Sequence, residues 1–194
     1  MKKEEKQTLV LASGNAGKIR EFAEMFPEFT VKGYKEFGRN YEIEETGSTF
    51  YENALIKAKT VAETLGLPAL ADDSGLCVNA LSGAPGIFSA RYAGDGNDEH
   101  NIEKLLRNLE GEKDRSAKFV CSLVFYYPDG KIVSAEGETE GEILFEKDGE
   151  NGFGYDPIFY SKDLKKSFGK ASEKEKNSVS HRSRAIKTLR EELK

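Results

Sequence analysis

Residues 117–143, AKFVCSLVFYYPDGKIVSAEGETEGEI, read as two long strands around a Pro-Asp-Gly turn. Ala117, Phe119, Cys121, Leu123 and Phe125 recur at every second position and so share one face. Strands of that length need a sheet to join, and the rest of the chain supplies both strands and helices. TLVLAS, at 8–13, is a short apolar strand ending in a glycine turn. Ile19, Phe22, Ala23 and Phe26 then follow helical spacing. A second helix starts near Thr49, where Thr49 and Glu52 form a capping-box pattern. Its apolar side is Phe50, Ala54, Ala58, Val61, Ala62 and Leu65, and Gly66 is the stop signal. Asn53 and Lys57, four apart, occupy a different and polar face. Leu67–Ala71 reads as a buried strand that ends on Asp72 and Asp73, and GLCVNALSGAPG reads as a hairpin. A third helix covers roughly 97–109, with His100 in the linker before it. A short strand follows GFGYDP, and a last helix begins near Ser180. Strands and helices in this mixture predict an α/β or α+β fold on a mixed sheet.

At 194 residues the chain has room for one large domain or two small lobes. Its net charge of −5 argues against a broad electrostatic attraction to a nucleic-acid polymer. A small anionic ligand needs only a local positive site. Cys77 and Cys121 lie in apolar runs without metal-ligand or disulfide-framework spacing, which predicts buried free thiols. The N-terminal MKKEEKQTLVLAS has no signal-peptide core, and no segment approaches ~20 apolar residues. No membrane partner is expected, and the cytoplasm is the expected location.

Several short segments carry chemistry. SGNAGK, Ser13–Lys18, sits where a strand meets a helix, and backbone N–H groups there can receive a phosphate. It is not a Walker A loop, because only two residues separate Gly14 from Gly17 and Ile19 follows Lys18. An ordinary left-handed turn capped by Asn15 is the competing reading. Glu44, Glu45, Glu52, Asn53 and Lys57 bracket the second helix start. Glu52 suits a cap, and Glu45, in the loop before the helix, is freer to bind a metal. Adjacent carboxylates at the end of a buried strand cost several kcal/mol unless compensated. A hard divalent cation compensates them, and an Asx turn is the alternative. In NGFGYDPIF, Phe153 or Tyr155 offers a ring to a base, and Asp156 either bonds a base edge or organises the loop. Core packing of Phe153 competes with this. Lys176, and Ser180-His181-Arg182 at a helix start, place hydrogen-bond donors where an anion or a carbonyl-rich base would bind, with Ser180 as the cap.

SGNAGK, EETGSTFYENALIKA, ALADDSGL, GAPGIFSARYAG, GFGYDPIF and SHRSRA occur in this order over residues 13–185. Together they resemble the Ham1-like inosine triphosphate pyrophosphatases. Ser13 stands where that family often has Thr, and Asn151 where it often has Gly. The resemblance implies a single α/β domain over 1–194, with an elongated mixed sheet, flanking helices and two lobes around a cleft. It implies a homodimer that hydrolyses ITP, dITP and XTP to the monophosphate and pyrophosphate with Mg²⁺, for which Mn²⁺ is a chemically similar substitute. By matching position, Ser13, Gly14, Asn15, Ala16, Gly17 and Lys18 would hold phosphates, assisted by Lys57. Glu45 and Asp73 would bind metal. Asp73 would accept the proton, with Asp72 beside it, and Ser74 would touch substrate. Phe153, Gly154, Tyr155, Asp156, Lys176, His181 and Arg182 would form the base pocket. Two other readings compete: a Maf-type pyrophosphatase acting on pyrimidine or modified nucleotides, and a nucleotide-binding regulator without turnover.

Overall fold

The computed structural model describes residues 6–38 and 43–194. The first five residues of the charged N-terminal run lie outside that range. The chain orders as β1 (Thr8–Leu11), α1 (Ala16–Met25), β2 (Thr30–Gly33), α2 (Phe50–Leu65), β3 (Ala69–Val78), α3 (Asp98–Asn108), β4 (Ser116–Tyr126), β5 (Ile132–Ile143), β6 (Phe159–Ser161), β7 (Lys166–Ser167), α4 (Glu173–Val179) and α5 (His181–Glu192). The strands make one seven-stranded sheet in the order β2-β1-β3-β4-β5-β6-β7. Pairing is parallel from β1 to β2 and β3, and antiparallel from β5 through β6 to β7, so the sheet is mixed. No helix among the described residues is long and apolar enough to cross a membrane.

Two compact units divide the chain, and β3, β4 and β5 contribute residues to both. The first comprises 1–73, 122–135 and 189–194; the second comprises 74–121 and 136–188. In the first, Val10, Ala12, Ala69, Ala71 and Val124 pack against Ala54, Ala58, Val61 and Ala62 of α2. Small residues on α2 allow a close approach to the sheet. Thr49 accepts the Glu52 N–H, and Gly66 closes the helix in the left-handed conformation. In the second unit, Leu76, Val78, Ile102, Leu105, Phe119, Tyr155, Phe159 and Phe168 form the core. There α5 lies tight on β5: a Cβ on Gly137 would stand 2.2 Å from the His181 carbonyl oxygen and 2.3 Å from the Ala185 nitrogen.

Several expectations change in detail. The Asp-Asp pair does not end a strand, because β3 runs on through both acids to Val78. The hairpin after it shrinks to a short turn and one bridge, Cys77 to Pro85. His100 lies inside α3 and pairs with Asp95 at 2.5 Å. Cys121 is buried as expected, whereas Cys77 is only half-buried, and the two are not joined in a disulfide.

Candidate active site

The first unit builds its polar cluster from strand alternation. β1 is flanked by β2 on one side and β3 on the other, all parallel. Right-handed crossovers from β1 to β2, and then from β2 back past β1 to β3, put α1 and α2 on opposite faces of the sheet. Consecutive residues of β3 also face opposite ways. Asp73 therefore shares a face with Ala69 and Ala71, which pack on α2, and Asp72 faces α1. The contacts follow this division. Lys18 of α1 donates to both Asp72 oxygens, at 3.0 and 2.9 Å. Lys57 of α2 donates to Asp73 at 3.2 Å and to Glu45 at 2.8 Å. Asp72 is 4% and Asp73 9% exposed, so two lysines compensate the two buried acids directly.

The cluster also sits past the end of a neighbouring strand. β1 pairs with β3 only at Val10–Ala69 and Leu11–Leu70, and then ends. The acids of β3 thus lie just beyond the carboxyl end of β1, next to the Ser13–Lys18 corner. The chain leaves β1 toward β2, and β3 lies on the other side. Open α/β sheets bind ligands at such a switch point. At the corner Ser13 accepts the Asn15 N–H at 3.1 Å, and Asn15 accepts the Lys18 N–H at 3.2 Å, so Asn15 does cap α1. Gly14 is not left-handed.

Electrostatics set the two central groups apart. Burial pushes the Asp73 carboxyl up; Lys57 works against this and the Glu45 charge adds to it, for a net rise above the ordinary value. Burial alone would depress Lys57, but Asp73, Asp72 and Glu45 together hold its ammonium above its usual value. Lys57 stays charged at neutral pH, and Asp73 takes up a proton more readily than an ordinary carboxylate.

Two residues here went unassigned in the sequence reading. Asn53 is fully buried, donates to Asp73 at 3.4 Å and accepts the Gly47 N–H at 2.8 Å, which ties the Glu45 loop to β3. Its spacing from Lys57 was the available signal. Lys35 passes over the backbone at Gly14, with its Cε 2.6 Å from where a Cβ would be, and brings another cation to the corner. Nothing local in the sequence marks it. Glu52 serves the helix start: it accepts from the Ser48 N–H and hydroxyl, at 2.6 and 2.7 Å.

The second unit gathers the remaining candidates. Ser74 is half-buried on β3. Phe153 is 62% exposed, so the core-packing reading of this ring is set aside. Tyr155 is the core residue instead, 4% exposed, with its hydroxyl donating to the Ser89 carbonyl at 2.7 Å. Asp156 organises the loop. It accepts the Phe153 N–H at 2.9 Å and pairs with Lys176. Gly152 is left-handed, and a Cβ there would lie 2.1 Å from the Asp156 carboxylate. The Lys176 ammonium stands 4.5 Å from the Phe153 ring centre and 5.7 Å from that of Phe168. Phe168 stacks on Phe119, and Phe119 stacks on His181 at 5.0 Å. Phe153, Asp156, Lys176 and His181 are thus joined through one aromatic stack. Arg182, equally buried, follows His181 in the first turn of α5. Ser180 caps that helix by accepting the Ser183 N–H at 3.2 Å.

Because α5 delivers His181 and Arg182 through its contact with β5, Gly137→Ala tests the placement. A Cβ meeting backbone atoms must displace the helix, at a cost of about 1–3 kcal/mol. The variant is expected to melt several degrees lower, read by calorimetry. An unchanged melting temperature would contradict this packing.

The chain matches the Ham1 family over residues 9–192. It is 46% identical over 197 residues to a dITP/XTP pyrophosphatase of Bacillus cereus, covering 98% of this chain and 96% of that one. To a dITP/XTP pyrophosphatase of Staphylococcus aureus it is 49% identical over 182 residues, covering 93% of each. Among solved structures, the Staphylococcus aureus Ham1 protein superposes with a TM-score of 0.92 at 48% identity, covering 96% of this chain and 98% of that one. A HAM1 protein from Coxiella burnetii gives 0.90 at 44% identity, with the same coverage.

Proposed function

The chain belongs to the Ham1 family, and from that premise we propose that it hydrolyses non-standard purine nucleoside triphosphates. ITP, dITP and XTP are the substrates, and the products are the nucleoside monophosphate and pyrophosphate. The observation that carries this reading is the pair of β3 carboxylates. Asp72 and Asp73 are each gripped by a lysine from a different helix, just past the carboxyl end of β1.

Water attacks the α-phosphorus in line, and pyrophosphate leaves. Lys18 and Lys57 neutralise charge that builds on the transferring and leaving oxygens, where most phosphoryl-transfer catalysis arises. Asp73 takes the proton from the attacking water. Asp72 holds Lys18 at the Ser13–Lys18 corner, where N–H groups other than those of Asn15 and Lys18, which bond within the corner, receive phosphate oxygens.

Glu45 and Asp73 suit a hard cation. They are carboxylates brought close enough to share one ammonium, and burial with the Glu45 charge has raised Asp73, which marks a place where added positive charge stabilises the ionised form. Mg²⁺, or Mn²⁺ in its place, would be held by these two residues and would supply charge neutralisation and a more acidic water. Among the described residues no group of three or more His, Cys, Asp or Glu side chains forms a metal cluster. Mg²⁺ is commonly held by one or two carboxylates, with substrate phosphates and waters completing its shell.

In the second unit, Phe153 offers an exposed face for stacking, and His181 and Arg182 supply donors. Hypoxanthine and xanthine present an oxo acceptor where adenine presents an amino donor, so these donors favour the first two. A homodimer in the cytoplasm, with no nucleic-acid polymer or membrane as partner, completes the proposal. Light scattering at twice the 21.5 kDa chain mass tests the dimer.

The deciding experiment is product analysis. With ITP and Mg²⁺ the protein is expected to release pyrophosphate and IMP, and EDTA is expected to suppress the release. Release of inorganic phosphate, or a preference for pyrimidine substrates, would overturn the reading; so would binding without turnover.

A further inference from the structure

We propose that Asp98 is a positioning residue for base recognition, holding the Phe153 loop from the N-terminus of α3. The role rests on the pyrophosphatase reading but concerns residues which that reading leaves unassigned. The loop is hard to order by itself. Phe153 stands between Gly152 at φ +79° and Gly154 at φ +58°, both left-handed. Glycines flanking an exposed ring leave many backbone states open, and binding would have to remove them.

Among the described residues, three side-chain hydrogen bonds hold Phe153, Gly154 and Tyr155. Asp156 accepts the Phe153 N–H from within the loop. The Tyr155 hydroxyl donates to the Ser89 carbonyl, and Ser89 is itself anchored, because its hydroxyl accepts the Leu76 N–H at 2.8 Å and donates to the Gly86 carbonyl at 2.6 Å. The third restraint is Asp98, whose carboxylate accepts the Gly154 N–H at 2.9 Å. It reaches across 56 residues of sequence to the one loop amide that follows the exposed ring. The bond is charge-assisted and so stronger than a neutral one. Asn97 fixes the start of α3 by accepting the Glu99 and His100 N–H groups, so Asp98 is presented from an ordered turn. The segment GAPGIFSARYAG thereby gains a role: through Ser89 it forms the other wall of the same clamp.

Asp98 touches no reacting group, so its loss should fall on binding. Asp98→Ala is expected to raise the KM for ITP about tenfold, with kcat changing less than twofold, the signature of lost uniform binding. Asp98→Asn keeps a carbonyl acceptor and is expected to recover most of the loss. If Asp98 only complemented the helix dipole, asparagine would behave as alanine does. A second measurement needs no turnover: amide exchange at Gly154, followed by NMR on the full chain, is expected to speed up in Asp98→Ala and to return toward wild type in Asp98→Asn. Unchanged Gly154 exchange, an unchanged KM, or a loss confined to kcat would each overturn the positioning role. A wild-type protein that leaves ITP intact would instead overturn the pyrophosphatase reading, and the exchange result would still decide the clamp.

Discussion

Asp73→Asn is expected to lower ITP turnover by about a thousandfold, the scale of a lost general base, while the protein stays folded. Both halves of that expectation come from the same burial. The Asp73 carboxyl is raised chiefly by burial and further by Glu45, against the pull of Lys57. Between the ordinary carboxylate range and the raised value, the folded chain holds a proton that the unfolded chain has released. This group therefore makes stability fall as pH rises through that window, and the deficit persists above it. Asparagine removes the charge, keeps the shape and still offers Lys57 an oxygen. Its melting temperature at neutral pH should be no lower than wild type by more than a few degrees. Near-normal turnover in a folded variant would remove Asp73 from the chemistry. A variant that unfolds would show instead that Lys57 needs the charge.

Arg182→Ala is expected to narrow the ITP-over-ATP ratio in kcat/KM by one to two orders of magnitude, because a buried donor meeting an oxo group discriminates by leaving itself unsatisfied against the wrong edge. Arg182 is 5% exposed on the first turn of α5 and does not reorient cheaply toward solvent. Arg182→Lys keeps the charge but not the planar fork, and should fall between alanine and wild type. A uniform loss for ITP and ATP with the ratio unchanged would place Arg182 on the phosphates rather than the base. The two variants separate chemistry from selection, one in each compact unit.

Legibility varied with how local the cause was. The α2 helix was readable because Thr49, Gly66 and its alanine stripe all act within a few residues. The long β4–β5 pair was readable from period-two patterning. In contrast, α4 is seven residues long and has no buried side chains, so it left no apolar period to find. Its Ser172–Glu175 capping box holds it, and it carries Lys176 to Asp156. β3 was read too short because two acids look like a strand end. In the folded chain each finds a lysine, and the strand continues. Tyr155 and Phe153 look interchangeable in GFGYDP, yet Tyr155 packs into the second unit's core with its hydroxyl on the Ser89 carbonyl, whereas Phe153 is exposed.

The sequence alone determined that Asp72 and Asp73 face opposite ways wherever the strand runs on through them, because alternation is a property of the extended backbone; that it does run on was decided by the fold. It likewise determined that Asn53 and Lys57 share one side of a helix. Which lysine meets which acid was decided by the tertiary structure. Lys18 reaches Asp72 across 54 residues and Lys57 reaches Asp73 across 16. Those pairings depend on the hand of two crossovers and on where β1 stops, and both are properties of the packed sheet rather than of any local segment.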